Sequence, residues 1–292
     1  MRCIFRVGTL PLPLPHKGAV RVNTPRIFDR KLYALHRARA SESFLAIDAA
    51  QAMAERIGGI NRRFMRGLNL NARAETRAIF SPLAEEWVET LPGSIDEEAL
   101  PFPPESFDLI VSVLSLHAVN DLPGALIQIC RALKPDGLFI AALFGGETLH
   151  ELRAAFAIGE SETTGGVSPR VSPFADVRDL GGLLQRAGFA LPVADLERTT
   201  VRYASFDSLV ADLRALGETN ALTERSKRIL RRDTLAAMLA HYRASHADGE
   251  DRIAATFDVI YLAGWAPHES QQKPLAPGSA IARLADALKS TG

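Results

Sequence analysis

The sequence has few cysteines and no long apolar run. Cys3 and Cys130 are the only cysteines among 292 residues. They are too few for a disulfide framework, too far apart in sequence for a CxxC motif, and typical of a reducing compartment. The longest apolar stretches, Leu109–Val119 and Leu138–Phe144, are far shorter than the roughly 20 residues of a transmembrane helix. These absences predict a cytoplasmic protein without a membrane span.

Acidic side chains are missing from the first 28 residues, which contain five basic ones. Such a bias is typical of targeting segments. Pro11, Pro13 and Pro15 would, however, break either an apolar signal core or an amphipathic targeting helix. We therefore predict that residues 1–25 form a disordered or extended segment outside the folded domain.

The net charge is zero, because 34 basic and 34 acidic side chains cancel. The charges are unevenly distributed: residues 1–73 carry 14 basic and four acidic side chains, whereas residues 75–108 carry nine acidic and one basic. A basic end could bind nucleic acid, but these bases lack the interleaved aromatic residues of such a surface. A solvated or acid-pairing face is favoured, and no nucleic-acid partner is expected.

Hydrophobic periodicity predicts alternating helices and strands. An apolar stripe at spacings of three and four predicts a helix over residues 43–64. The continuously apolar segments 107–116 and 138–144 are typical of strands buried on both faces, and Asp121 can cap the helix between them. A last strand is predicted over residues 256–265. This order is that of an α/β protein with parallel crossovers.

Polar side chains follow several of these strands. They occur at residues 69–71, 96–98, 115–120 and 145–147. Ligands of open α/β sheets bind beyond the carboxyl ends of the strands, so we expect these segments to share one crevice. No set of His, Cys and carboxylate residues has the spacing of a zinc site, and no metal is predicted.

Motifs in the second half of the chain resemble a known family. They are a run from IDEEALPF through SLHAVNDLPGALIQICRALKPDG to GGETLHELR, followed by SPRVSPF, DLGGLLQRAGF and GWAPHESQQKP. The set resembles class I S-adenosylmethionine-dependent methyltransferases. More narrowly, it is similar to the branch of malonyl-acyl-carrier-protein methyltransferases and mitochondrial complex I assembly methyltransferase-like proteins.

This resemblance covers about residues 26–285 and implies a fold. The expected domain is a Rossmann-like sheet of seven strands, mostly parallel with an antiparallel last strand, and with helices on both faces. Residues 206–250 would be a helical insertion that covers the substrate, and residues 286–292 a tail.

The resemblance also implies a cofactor site for S-adenosylmethionine. Asp96 and Glu97 would face the adenine, and Ser115, Leu116 and His117 would line the methionine end. His117 can be interpreted in two ways, as a catalytic base or substrate-positioning group, or as a strand-end histidine bonded to backbone.

The first half of the chain departs from the family pattern. Family members have an acid-x-Gly-x-Gly loop after the first strand, whereas this sequence has GLNLNARAE, with Asn69 and Asn71 at the acid and glycine positions. Only 27 residues separate Asn69 from Asp96, where the usual elements need roughly 40, so one element is expected to be missing. If the second strand ends near Phe80, Ser81 takes the place of its ribose-binding acid. The cofactor site is therefore either adapted or lost.

The sequence leaves two functions open. The first is an S-adenosylmethionine-dependent methyltransferase that acts on a protein-borne or small acceptor. The second, implied by the mitochondrial relatives, is a non-catalytic or hydroxylating assembly factor for a respiratory-complex subunit. Arg225, Arg228 and Arg232 are predicted to share one helical face, which is either solvated or binds an acidic protein or carrier.

Overall fold

The computed structural model describes residues 26–272. Its strands are β1 (Phe64–Leu70), β2 (Ala84–Glu89), β3 (Phe107–Val113), β4 (Leu133–Phe144), β5 (Ala190–Tyr203) and β6 (Ile253–Trp265). Its α-helices are α1 (Arg30–Ala38), α2 (Phe44–Gly58), α3 (Arg77–Phe80), α4 (Leu122–Ala132), α5 (His150–Thr164), α6 (Val177–Arg186), α7 (Phe206–Leu216) and α8 (Arg232–His246).

The six strands form one sheet in the order β2-β1-β3-β4-β6-β5. The pairs β1–β2, β1–β3 and β3–β4 are parallel, and β6 runs antiparallel to both β4 and β5. Every residue of β3 is buried, as expected for a strand covered on both faces. The Rossmann-like methyltransferase fold is thus confirmed.

One strand of the expected seven is missing from the described part of the chain. The chain passes from β2 to β3 without a further strand, so β2 forms one edge of the sheet. This agrees with the predicted loss of an element between Asn69 and Asp96.

Two hydrophobic clusters cover the two faces of the sheet. Helices α2, α5, α7 and α8 contribute to one cluster, and α4 and α6 to the other. The predicted helix over 43–64 is too long, because α2 ends at Gly58 and Phe64 already belongs to β1. Consecutive glycines at 58 and 59 favour this end, since glycine is a poor helix former. The cap prediction is confirmed: Asp121 accepts a 2.9 Å hydrogen bond from the Gly124 amide.

The segment between α7 and α8 is irregular. Helix α7 ends before Gly217, which has φ +81°, and α8 begins only at Arg232. The prediction that Arg225, Arg228 and Arg232 share one helical face is therefore wrong. Arg225 instead donates to the Leu222 carbonyl at 2.8 Å and lies 3.4 Å from the Asp29 carboxylate.

A loop over residues 165–176 lies between α5 and α6. Buried Glu160 accepts hydrogen bonds from the Ser168 amide at 2.6 Å and from Arg170 Nε at 2.8 Å. Asn220 also donates to the Pro169 carbonyl at 2.9 Å. The loop is thus tied both to α5 and to the segment after α7.

None of the helices within residues 26–272 has both the length and the apolar character needed to cross a membrane. The predictions for residues 1–25 and 286–292 lie outside the described residues.

Candidate functional site

A cleft of about 560 Å³ lies at the carboxyl edge of the sheet. Its walls come from α1, from the segment after β2 and from the segment after α7. Three of the four predicted polar segments reach it, through Asn71, through Asp96 and Glu97, and through Asn120. This volume is within the roughly 300–1,000 Å³ of small-molecule sites. The position agrees with the expected location of ligands in open α/β sheets.

A second cleft of about 620 Å³ lies on the other side of the loop that follows β1. Arg37 and Pro92 line both clefts, so the two are neighbours. The second cleft is bordered by Ala72, Arg73 and Ala74, and of these Arg73 stands at a glycine position of the family pattern.

Asn71 and Glu97 meet at the first cleft. Asn71 follows β1 directly and has φ +54°, a left-handed conformation that asparagine tolerates better than most residues. Its side-chain amide donates a short hydrogen bond to Glu97, and Arg30 donates to the other carboxylate oxygen. Glu97 is buried, and Arg30 balances the charge of its carboxylate.

Arg73 fixes the loop after β1. It is buried and donates to the carbonyls of Leu216 at 2.8 Å and Ser41 at 2.7 Å, and to Glu75 at 2.5 Å. Burial is the main cause of the lowered pKa of the Arg73 guanidinium, followed by repulsion from Arg37. In the acid-x-Gly-x-Gly pattern that begins at Asn69, position 73 is the second glycine, so the sequence shows only that Arg73 adds a side chain there. Its role as a tie between β1 and α7 depends on distant contacts.

His117 lies in an enclosed polar cluster beyond β3. Its side chain is 3% exposed, and its Nε2 is 3.0 Å from an oxygen of Glu218. Tyr33 donates to the other Glu218 oxygen at 2.8 Å. The rings of Phe144 and Phe174 pack against the imidazole at centroid distances of 5.2 and 5.8 Å. The imidazole therefore contacts a carboxylate, a partner that neither interpretation of His117 included.

Burial by itself would raise the pKa of Glu218. The charges of His117 and Arg37 and the hydrogen bonds from His117 and Tyr33 outweigh it, so the pKa of Glu218 is lowered. Burial, and next the charge of Glu218, raises the pKa of Tyr33. The cluster thus holds an ionised carboxylate at neutral pH. Glu218 had no signal in the sequence, because it lies in the irregular segment after α7.

Several predicted cofactor residues do not line either cleft. Asn69 is buried within β1, and Ser115 and Leu116 are fully buried. Ser115 exchanges a 2.8 Å hydrogen bond with Ser112. The prediction for Ser81 is wrong. It lies in a turn before β2, at the amino ends of the parallel strands and not at their carboxyl ends. The preceding residues form the short helix α3 rather than the predicted strand.

Glu89 and Thr90 stand at the carboxyl end of β2, where Ser81 was predicted. Thr90 Oγ1 accepts a 2.9 Å hydrogen bond from the Asn71 amide, and the Thr90 amide donates to the Asn69 carbonyl at 3.0 Å. Glu89 pairs with Arg77 at 2.8 Å. Trp87 and Val88 in the AEEWVE segment, residue types that are enriched in strands, were the available signal for this strand.

Two buried polar atoms at the first cleft have no hydrogen-bond partner within residues 26–272. They are Arg37 Nε and Asn71 Oδ1. An unpaired buried donor or acceptor costs free energy, so a ligand that satisfies both would be favoured. Asp96 is exposed at the same cleft, and its carboxylate has no basic partner among the described residues. No group of three or more metal-binding side chains occurs in the described part of the chain.

Comparison with known proteins places this chain among methyltransferase-like proteins. The family described as "Methyltransferase domain" matches residues 32–141. The mitochondrial arginine-hydroxylase NDUFAF5 of Rattus norvegicus is 38% identical, over 94% of this chain and 87% of the relative. A malonyl-[acyl-carrier protein] O-methyltransferase of Halorhodospira halophila is 39% identical over 61% of this chain and 58% of its own length. The YcgJ protein of a Bacillus species shares the fold, with 15% identity, a TM-score of 0.51 and coverage of 76% of this chain and 99% of that one.

The prediction of a cytoplasmic location is wrong in the light of these relatives. The rat protein, which aligns with nearly the whole of this chain, is mitochondrial by name. A small number of cysteines and the lack of long apolar runs do not distinguish the cytoplasm from the mitochondrial interior, because neither feature depends on which reducing compartment holds the protein.

Proposed function

We propose that this chain modifies an arginine side chain of a partner protein, because it belongs to the class I S-adenosylmethionine-dependent methyltransferase superfamily. Within that superfamily it belongs to the branch of the NDUFAF5 proteins and the malonyl-acyl-carrier-protein O-methyltransferases. The observation that carries the proposal is the similarity to an arginine hydroxylase over 87% of that relative's length. The similarity to the acyl-carrier enzyme covers only 58% of its length.

S-adenosylmethionine is the cofactor of this superfamily. When bound, it supplies a methyl group on a sulfonium, which leaves the protein to align the acceptor and exclude water. The first cleft fits this group, because its volume is within the range of small-molecule sites and two of its lining residues have buried polar atoms without a partner. We assign the adenosine end to Asp96, Glu97 and Asn120, which line the cleft and carry oxygen or amide groups.

A basic segment beside the cleft supports a protein partner. Arg225 and Lys227 line the cleft mouth, and Arg228 and Arg232 are exposed further along. Ile229 among them is 94% exposed, the highest value among the exposed large apolar residues of the described chain. A basic patch around an apolar side chain suits an acidic protein segment with an apolar residue of its own.

The test is a modification assay with synthetic peptides. Each peptide contains one arginine, with either an acidic or a neutral flank, and is incubated with the full chain, S-adenosylmethionine, air and ascorbate. We expect tandem mass spectrometry to locate on the arginine a gain of either one CH₂ unit or one oxygen atom. The double variant Lys227→Glu and Arg228→Glu should reduce modification of the acidic-flanked peptide only. Arg186→Glu, at an exposed position of α6, should change the modification of neither peptide. Unmodified arginine in every peptide contradicts the proposal.

A second candidate is a non-catalytic assembly factor, and Arg73 is the observation that favours it. A buried arginine tied to two backbone carbonyls stands where the family has a glycine loop. Peptides that bind the basic segment but remain unmodified would identify this function.

A further inference from the structure

The unpaired atoms at the first cleft have complementary chemistry. Arg37 Nε is a charged donor, and Asn71 Oδ1 is a neutral acceptor. Both residues are 5% exposed, and both line the cleft. Arg37 uses its terminal nitrogens on the carbonyls of Val113 and Leu216, each at 3.3 Å, so Nε remains available.

The positions of the two residues are fixed by the sheet. Asn71 is the first residue after β1, and Arg37 is bound to Val113, the last residue of β3. Strands β1 and β3 are direct neighbours. Each unpaired atom therefore belongs to a residue held at the end of one of these two strands. The backbone amide of Asn71 is also fixed, since it donates to the Thr90 hydroxyl.

The charges next to the two unpaired atoms are already paired. Arg37 lies 3.6 Å from Glu218, and Arg30 is paired with Glu97. An added ligand group with a large net charge would disturb this balance, whereas a zwitterion would not. A phosphate at neutral pH presents mainly acceptors and could satisfy Arg37 but not Asn71 Oδ1. An α-amino acid has a carboxylate for Arg37 and an ammonium for Asn71.

We infer that Arg37 and Asn71 bind the amino-acid end of the cofactor, the carboxylate at Arg37 Nε and the ammonium at Asn71 Oδ1, in place of the family's glycine loop. The inference rests on the proposed function, because it takes S-adenosylmethionine as the ligand of the first cleft. In this chain, side chains do what backbone amides beside glycines do in the family pattern. This explains how the loop can carry Ala72, Arg73 and Ala74 without loss of the site.

Two probes separate the amino-acid end from the rest of the ligand. S-adenosylhomocysteine contains it, and 5′-methylthioadenosine has the same nucleoside and sulfur without it. By calorimetry we expect the wild-type chain to bind S-adenosylhomocysteine at least about tenfold more tightly, as charged hydrogen bonds would require. Arg37→Met and Asn71→Gly should each remove most of this preference, and Arg37→Met should leave methylthioadenosine affinity within about twofold. Asn71→Gly also removes a hydrogen bond to Glu97, so its effect is read from the ratio of the two affinities. Glycine is chosen at position 71 because it accepts the positive φ.

Arg39→Met is the matched control, since Arg39 is exposed just after α1 and lines neither cleft. Three results would overturn the inference. They are equal affinity of the wild type for the two probes, a preference for S-adenosylhomocysteine that survives in both variants, and an equal loss of affinity for both probes in the variants. If Arg37→Met does not fold, Asn71→Gly decides. Failure of the wild type to bind either probe removes the cofactor premise itself, which distinguishes it from failure of these two assignments.

Discussion

The carboxyl edge of the sheet is stabilised differently at its two halves. Beyond β1 and β2, arginines hold the loops: buried Arg73 binds carbonyls of distant segments, and partly exposed Arg30 pairs with buried Glu97. Beyond β3 and β4, an aromatic enclosure surrounds His117 and its carboxylate partner. The second half keeps the family motifs, and the first half has lost them.

This difference explains the uneven charge of the sequence. Bases of the first 73 residues pair with acids of residues 75–108 in four places within the described chain. The pairs are Arg30–Glu97, Arg63–Glu85, Arg66–Glu86 and Arg73–Glu75. The acid-pairing interpretation of the basic end therefore holds for these residues. Where a strand and a glycine loop are missing, ion pairs connect the remaining elements.

The largest effect is expected in the second half, at Glu218. Glu218→Ala leaves Arg37, His117 and the Tyr33 hydroxyl without their shared partner, and removing one member of a buried ion pair costs about 3–5 kcal/mol. Urea unfolding measures the loss. Glu224→Ala, at an exposed position nearby, is the control and should change the free energy of unfolding by less than about 0.5 kcal/mol. A loss below about 1 kcal/mol would show that the cluster is not a stabilising unit.

The corresponding change in the first half is Arg73→Ala. It removes the donor to the Ser41 carbonyl and to the Glu75 carboxylate, and leaves the Leu216 carbonyl with Arg37 alone. We expect a cost of about 2–3 kcal/mol in urea unfolding. Arg77→Ala, which breaks a half-exposed pair with Glu89, serves as the comparison at about 0–1 kcal/mol. Equal effects of the two variants would mean that Arg73 is no more than a surface charge.

Some of this arrangement was accessible from the sequence. The buried strands and the Asp121 cap follow from local patterns, whereas the antiparallel direction of the last strand was implied by the family resemblance. The missing strand followed from spacing, because 27 residues are too few for the usual elements. Asp96, Glu97 and Asn71 were correctly placed at one edge, since strand ends of a parallel sheet meet there.

Other features depend on contacts that sequence spacing does not encode. Ser81 precedes β2, where it was predicted to follow the strand, because a helical turn replaces the first part of the predicted strand. Glu218 and Tyr33 are separated by 185 residues, and Arg73 and Leu216 by 143. Such pairs arise only when α1 and the end of α7 are packed against the same strand ends.

A pH-dependent contribution is expected at Glu160, in the second half. Burial works against ionisation, but hydrogen bonds from Ser168 and Arg170 outweigh it, and the pKa of Glu160 is lowered. The contribution to stability is therefore fully present above the unfolded-state pKa, about 4.3, and is lost as pH falls through the folded-state value. The stability gap between wild type and Glu160→Gln should narrow below about pH 4.5 in urea unfolding. A gap that stays constant down to about pH 3 would contradict the assignment.

The smallest effect is expected for the exposed pairs of the first half. Arg63 pairs with Glu85, and their side chains are 81% and 42% exposed. A double-mutant cycle with alanine at both positions should give a coupling of about 0.2–1 kcal/mol, abolished in about 1 M salt. A larger, salt-insensitive coupling would mean that this surface pair stabilises the fold as much as the buried contacts of Arg73.

We claim above all that a cofactor cleft persists at the carboxyl ends of the strands, where the family's glycine loop is missing. The most direct test is calorimetric titration of the full chain with S-adenosylmethionine, together with its thermal unfolding. We predict a saturable isotherm with one site per chain and a midpoint temperature that rises with ligand concentration. No detectable heat and no thermal shift at millimolar ligand would contradict the claim.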